Sequence, residues 1–385
     1  MTPGARVQAA IDCLDRILAG DPAEKVLTGW ARGARYAGSK DRAAVRDHVY
    51  DVLRQKRACA ALGGGEGARA LMIGLIRLQR ADPAAVFTGK GHAPSVLTAE
   101  ELRTGQDAPP PQPELPDWLL PQLEARYGGD LATALAPLAR RANVFLRVNL
   151  RKADRQGAMA ALAEEEIPAE PAELAPTALK VTAGARRISQ SRAYREGLVE
   201  LQDAASQAAM ETLPLRDGMT VLDYCAGGGG KTLALAGRAR ATYYAHDANP
   251  QRMRDLPARS ARAGVTVRQL ATEELAGQGP YDLVLCDVPC SGSGTWARDP
   301  DAKWRLTPER LAALNTIQDE ILDAAAALVA EGGLLAYTTC SLLAVENEGR
   351  IAAFLARHPD WTCCFSRQWH LYDGGDGFFV AHLIR

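Results

Sequence analysis

Cys290 and Cys340 stand in near-identical settings. Each closes a short apolar run, YDLVLCDVPC and GGLLAYTTC, and each is followed by serine. Runs of this kind bounded by glycine or aspartate read as buried strands of a parallel sheet. That places both thiols just past the carboxyl ends of strands, the edge at which open α/β sheets bind ligands. One such cysteine could be inert packing, but a pair with matched flanks calls for chemistry. A thiolate that adds to carbon 6 of a cytosine breaks the aromaticity of the ring and makes carbon 5 able to attack a sulfonium methyl. The carbon 5 proton must then leave and the thiolate be expelled. That sequence needs one readily ionised cysteine, a base, and a donor for charge at N3. A second cysteine can serve the release, and Asp287, protonated or hydrogen-bonded, can sit at N3.

A sulfonium donor needs its own site, and VLDYCAGGGGKT (221–232) has the form of one: a strand, four glycines, then a helix. Glycines let the backbone approach a ligand, and a helix start offers unpaired N–H groups. The spacing is not that of a triphosphate-binding P-loop, because Cys225 stands where the first glycine would be required. The next strand ends YYAHDANP, and Asp247 there suits the two ribose hydroxyls of an adenosine. Strand, glycine loop, helix, strand and acid together point to an adenosine-type cofactor.

The elements that must position these groups form a doubly wound α/β fold. TVLDYC, TYYAHD, VTVRQL, YDLVLCD, GGLLAYTT and the closing GFFVAHLI alternate with helical stretches, and the last strand can enter antiparallel. The preceding region reads differently. Val7, Ile11, Leu14 and Leu18 share one helical face, as do Val45, Val49, Val52 and Leu53, and Ser39 can cap the second helix. APPPQPELP (108–116) reads as a semi-rigid linker, and VFLRVNL with DRQGAMAALAEE suggests a small α/β unit. The expected division is a helical domain over 1–107, the linker 108–116, an α/β unit over 117–200 and a catalytic domain over 201–385.

Composition bounds the rest. Of the 385 residues 47% are apolar and 24% charged, the balance of an ordinary globular chain. No run approaches the roughly 18 apolar residues of a membrane span, and MTPGARVQAAIDCLDR lacks a secretory apolar core, so a cytoplasmic location is expected. None of the eight cysteines shows paired C-x-x-C spacing, so no structural metal site is expected, and the pair Cys363-Cys364 reads as packing. Net charge is −1, but residues 1–100 hold 15 basic against 10 acidic side chains. That excess, with Arg32, Arg35, Lys40, Arg42, Arg46 and Arg54 grouped together, points to a polyanionic partner. A monomer is the default expectation.

LDYCAGGGGKT, CDVPCSGSGTWARDPDAKWR and YTTCSLLAVENE together resemble the Sun family of RNA 5-methylcytosine methyltransferases, most closely its ribosomal RNA small subunit methyltransferase B type. The resemblance runs from LVELQDAASQAAM (198–210) to GGDGFFVAHLIR and more faintly back to LRVN (146–149), and the basic N-terminal helices resemble a NusB-like RNA-binding domain. It implies a Rossmann-like methyltransferase domain preceded by an RRM-like α/β unit, S-adenosylmethionine (AdoMet) as cofactor, and structured RNA, small-subunit ribosomal RNA in particular, as substrate. It implies Cys340 as nucleophile and Cys290 as the residue that assists release. It also implies that Cys225, Ala226, Gly227, Gly228, Gly229, Gly230, Lys231, Asp247 and Asp287 line the cofactor, with Lys231 and Asp287 reaching the base. The chain departs from the pattern twice: Gly228 stands where proline is usual, and Ala271, followed by Thr272 and Glu273, stands where an acid usually meets the adenine. Two other readings compete. A DNA cytosine methyltransferase would use Cys290 of its Pro-Cys pair and leave Cys340 idle, and an RNA-binding assembly protein with a decayed site would have no need of either cysteine.

Overall fold

The computed structural model describes residues 1–105 and 112–385, so part of the expected 108–116 linker lies outside the described residues. The chain divides into two compact units, Met1–Arg141 with Trp296–Leu306, and Ala142–Thr295 with Thr307–Arg385. Residues 117–141 group with the helices, the α/β unit and the catalytic sheet group together, and a short excursion, 296–306, leaves the second unit for the first.

The first unit is helical: α1 Pro3–Leu18, α2 Ala23–Gly33, α3 Ser39–Arg54, α4 Lys56–Gly63 and α5 Ala68–Leu78. Thr2 caps α1 by accepting from the Ala5 N–H, with Pro3 at the first helical position. Val7, Ile11 and Leu14 of α1 and Val45, Val49, Val52 and Leu53 of α3 pack into one core with Leu71, Met72, Ile73 and Leu75. Ser39 does not cap α3. It is the first helical residue, Gly38 is the cap, and Asp41 reaches back to the Gly38 N–H at 3.1 Å. Helices α4 and α5 cross so closely that a Cβ on Gly74 would lie 1.8 Å from the Cys59 carbonyl oxygen. Among the described residues no single helix is long and apolar enough to cross a membrane. The bent pair α4–α5 passes such a test only jointly, with 96° between its halves.

The excursion 296–306 is tied to α3 and α2. The Lys303 ammonium and the Trp304 indole N–H donate to the Arg54 and Leu53 carbonyls at 3.0 and 2.7 Å, closing the carboxyl end of α3, and Asp301 accepts from the Ala23 N–H. Arg54 itself is 5% exposed and donates to the Ala297 carbonyl, so it belongs to the core and not to the basic surface expected of it.

In the second unit a four-stranded antiparallel sheet comes first: β1 Val144–Val148, β2 Ala169–Pro171, β3 Ala178–Val181 and β4 Val199–Leu201, in the order β2-β3-β1-β4. The helix Arg155–Glu164, capped by Asp154, lies between β1 and β2 in the chain. This is the RRM-like, ferredoxin-like strand order. A seven-stranded sheet follows: β5 Thr220–Asp223, β6 Thr242–Ala245, β7 Val267–Gln269, β8 Tyr281–Asp287, β9 Val329–Thr339, β10 Thr362–Trp369 and β11 Phe378–Ile384. Its order is β10-β11-β9-β8-β5-β6-β7. Strands β5 to β9 pair in parallel, and β11 runs antiparallel to both β9 and β10. This is a doubly wound, Rossmann-like sheet, and the chain reverses its direction of growth between β5 and β8, where such sheets bind ligands.

Strand β10 is absent from the sequence expectation because it is an edge strand with an almost wholly exposed face, and TCCFSRQW shows no apolar run. Its Cys363-Cys364 pair sits at a register shift: Cys363 is half-buried, whereas Cys364 is exposed and does not pack as expected.

Candidate active site

The glycine loop turns the chain from β5 into the helix Gly230–Ala236. Gly227 and Gly229 take φ of +51° and +77°, conformations that L side chains rarely adopt, and a Cβ on Gly229 would meet Leu256 Cδ1 at 2.2 Å. Within the loop the Ala226 N–H donates to the His246 carbonyl and the Gly229 N–H to the Ala226 carbonyl, both at 2.8 Å. Arg259 Nη1 donates to the Gly228 carbonyl, and a Cβ on Gly228 would lie 2.5 Å from the same nitrogen.

Asp247, buried beyond β6, accepts from the Gly227 N–H at 3.0 Å and the Asn249 N–H at 2.9 Å, and Arg252 pairs with it at 3.0 Å. Ribose hydroxyls at Asp247 must therefore share it with Arg252, whose side chain is about half exposed. At Ala271 no acid takes over. Glu274 turns back onto the Ala271 N–H at 2.8 Å, Glu273 is exposed, and Thr272 bonds to the His246 ring.

Asp223, at the end of β5, was not singled out from the sequence. It is 1% exposed, one carboxylate oxygen accepts from Thr232 Oγ1 at 2.6 Å, and the other has no hydrogen-bond partner. Burial pushes its carboxyl up to about 7, against the pull of the Thr232 bond and with a further push from Asp287. A buried acceptor left open beneath a glycine loop fits a cationic or N–H-bearing group bound there. The only sequence signal was its place as the last strand residue before the loop.

Lys231 and Asp287 meet across the switch point. The ammonium lies 2.5 Å from Asp287 Oδ2, while Thr338 Oγ1 donates to Oδ1 at 3.1 Å. Burial alone would lower the Lys231 pKa, but Asp287 outweighs it, with Cys340 and Asp223 adding to the rise, so the side chain is held as a cation. Asp287 accepts on both oxygens, from Lys231 and from Thr338.

Strands β8 and β9 pair Asp287 with Thr338, and the chains continue from there to Cys290 and Cys340, whose sulfurs are 3.5 Å apart. The Cys290 pKa is pushed well up, first by its hydrogen bond to Cys340, then by burial and by the charges of Cys340 and Glu346. Cys225 and Cys286 are also pushed up, first by burial and then by neighbouring groups, Asp223 and Asp287 among them. The structure thus brings Cys340, Cys290, Asp287 and Lys231 to one sheet edge, next to the loop Cys225–Lys231.

A second unforeseen residue is Glu346. It is fully buried and accepts from the Ser291 N–H and Oγ, the Ser341 Oγ and the Gln318 side-chain amide. Its sequence signal was an acid placed six residues after Cys340 in an otherwise apolar stretch. Among the described residues no cluster of His, Cys, Asp or Glu could hold a metal ion.

Comparisons with known proteins bear on this arrangement. Residues 210–384 match the family described as 16S rRNA methyltransferase RsmB/F, and residues 115–186 match the ferredoxin-like domain of RsmF/B-like methyltransferases. A probable ribosomal RNA small subunit methyltransferase B from Synechocystis is 33% identical over 69% of this chain and 61% of its own length. A ribosomal RNA small subunit methyltransferase B from Yersinia pestis is 32% identical over 70% of this chain and 66% of its own length. The chain thus spans a little under two thirds of these curated relatives. A crystal structure of a methyltransferase homologue from Pyrococcus horikoshii shares the fold, with a TM-score of 0.60, 23% identity, and coverage of 69% of this chain and 94% of that one. From the matched ferredoxin-like and methyltransferase segments and the curated relatives together, the chain belongs to the RsmB/F family of methyltransferases.

Proposed function

We propose that this protein is an AdoMet-dependent RNA (cytosine-C5)-methyltransferase acting on small-subunit ribosomal RNA, with Cys340 as covalent nucleophile. The observation that carries the reading is the pair of thiols 3.5 Å apart beside the Lys231–Asp287 ion pair. A single-cysteine enzyme of the DNA type has no use for the second thiol, and a decayed site would not keep both in register. The relatives' names support the ribosomal substrate.

AdoMet, when bound, supplies an electrophilic methyl on a sulfonium. The open oxygen of Asp223 and the positive-φ glycines fit its amino-acid end and its close approach to the backbone. The Cys340 thiolate forms a bond to carbon 6 of cytosine, and the displaced π pair leaves carbon 5 nucleophilic. The Lys231 ammonium donates to the charge that develops at N3 and O2, and the Asp287 carboxylate accepts from the exocyclic amine. Lys231 and Asp287 would hold the ring in place while carbon 5 takes up the methyl that AdoMet would supply. Loss of the carbon 5 proton then restores the ring double bond and expels the Cys340 thiolate.

Cys290 fits the release step because of timing. Its hydrogen bond to Cys340 is the largest cause that holds its proton on. Once Cys340 is a neutral thioether that cause is gone, and Cys290 can give its proton to water and then accept the one from carbon 5. Thiols are required throughout, which suits a reducing cytoplasm, and all eight cysteines are free. The helical unit, read as NusB-like, offers RNA an exposed turn between α2 and α3 with Arg32, Arg35 and Lys40 around Tyr36, which is 73% exposed. Phosphates meet such cations and an unpaired base can stack on such a ring. Arg46 is instead paired with Glu24.

Cys340→Ser should lose methyl transfer, keeping less than about a tenth of wild-type turnover, because a serine hydroxyl is scarcely ionised near neutral pH. Cys290→Ala should form the adduct and fail to resolve it, so that an AdoMet-dependent protein–RNA complex survives a denaturing gel. Identical behaviour of the two variants would contradict the division of roles.

Calorimetry tests the cofactor site. A bound ammonium favours the Asp223 carboxylate, so binding below the raised pKa must release a proton. AdoMet affinity should therefore rise with pH from ~5.5 toward 7, by up to about tenfold per unit, and level off above it. Asp223→Asn should bind at least about tenfold more weakly, ~1.4 kcal/mol, with little of that pH dependence. A flat wild-type profile speaks against this role for Asp223.

Changing Arg32, Arg35 and Lys40 together to glutamate should lower RNA affinity at least about tenfold and flatten its salt dependence by about 0.7–0.9 per lost phosphate contact. AdoMet affinity should stay unchanged. Unaltered RNA affinity and salt slope would assign this turn to another partner.

A further inference from the structure

Each reactive cysteine is followed by a serine, and both serines converge on one buried group. Glu346 Oε2 accepts from Ser291 Oγ and from Ser341 Oγ, both at 2.5 Å, while Oε1 accepts from the Ser291 N–H at 2.8 Å and from Gln318 Nε2 at 3.1 Å. None of these partners is a cation. The surrounding hydroxyls are ordered to the same end: Ser341 Oγ accepts from the Leu343 N–H, and Ser293 Oγ accepts from the Leu342 N–H while contacting Ser341 Oγ at 3.0 Å. The Ser341 and Ser291 protons are thus left to point at the carboxylate. Asn347 adds a second tie, accepting from Thr339 Oγ1 and donating to the Ser341 carbonyl. Below them the Tyr337 hydroxyl donates to the Glu346 carbonyl at 2.6 Å.

Removing a carboxylate from water is costly unless several donors replace the lost hydration, and removing one donor leaves the rest strained or unpaired. At Glu346 the replacing donors are two serine hydroxyls, a backbone N–H and a glutamine amide. What the arrangement achieves is specific to the two loops: residues 291 and 341, one position after each thiol, both donate to the same oxygen, Oε2.

We propose that Glu346 is a positioning residue for catalysis, whose single buried carboxylate ties the Cys290 loop to the Cys340 loop and holds the two thiols in their working arrangement. The proposal rests on the assignment of Cys340 as nucleophile. The ammonium of Lys231 is coupled to Cys340, whereas the negative charge of Glu346 is among the causes that hold the proton on Cys290. The two thiols therefore differ in charge environment although they differ little in sequence setting. With Glu346 neutralised, Cys290 should ionise earlier and drift from its partner, and release of the methylated RNA should suffer more than methyl transfer.

The test compares full-length wild type with Glu346→Gln and Ser341→Ala, the second removing one donor at almost no change in volume. Each is treated briefly with iodoacetamide at fixed pH, and the alkylated peptides are quantified by mass spectrometry. Wild type should be modified at Cys340 well ahead of Cys290. In Glu346→Gln the Cys340-to-Cys290 ratio should fall about tenfold, with a smaller fall in Ser341→Ala, and the covalent RNA complex should persist about tenfold longer, ~1.4 kcal/mol in either measure. Cys225 and Cys286 should stay unmodified in all three proteins. An unchanged ratio in both variants overturns the proposal, as does a parallel rise in Cys225 and Cys286 alkylation, which would mean general loosening. If Glu346→Gln does not fold, the ratio in Ser341→Ala decides. A wild-type RNA adduct found on Cys290 would defeat the nucleophile assignment instead, and the alkylation ratio would still report on Glu346 by itself.

Discussion

The parallel pairing of β8 with β9 is the constraint on which the rest depends. Its register sets Asp287 opposite Thr338, and both strands end there, so the two loops that follow leave the sheet side by side. Two cysteines separated by 50 positions in the chain are thereby delivered to the same place. Parallel strands need a crossover between them, and here the helix Pro308–Ala326 supplies it and contributes Gln318 to the Glu346 cluster. The next strand over, β5, brings the glycine loop and Lys231 to the same edge, which lets one lysine and one aspartate close the gap between cofactor loop and thiol pair.

Charge is distributed unevenly along that edge. A cation sits on the Cys340 side and a buried anion under both loops, and neither is screened by much water. Electrostatic effects are strongest in such dry settings, so small changes in the state of one thiol bear on the other. In the proposed reaction, formation of a thioether at Cys340 removes the main cause that holds the proton on Cys290. A sequential reaction can thus be run by two identical side chains, with the first covalent event preparing the second group to act.

Much of this was legible in the sequence, and the limits have physical causes. The glycine loop, the parallel strands and the two cysteine motifs are local patterns, and local periodicity reports them well. The antiparallel closing strand β11 was visible for the same reason. Strand β10 was not, because an exposed edge strand needs no apolar alternation. Glu346 and Asp223 were present as letters but had no visible role, since a buried acid is recognised by the donors around it and those come from distant positions. Arg54 counted as surface charge in the sequence and is core in the structure, where the excursion 296–306 covers it and takes its hydrogen bond. The contact between Lys231 and Asp287 joins residues 56 positions apart, which no local pattern reports.

The central claim is that Cys340, and not Cys290, forms the bond to carbon 6. It is tested most directly with full-length enzyme, AdoMet and small-subunit ribosomal RNA carrying 5-fluorocytosine, in which no carbon 5 proton is available to leave and the adduct cannot resolve. After nuclease and protease digestion, mass spectrometry of the cross-linked peptide should place the methylated nucleotide on Cys340 in the segment YTTCSLLAVENE, with Cys290 unmodified. A nucleotide carried by Cys290 in CDVPCSGSG, or no AdoMet-dependent adduct at all, would contradict the account.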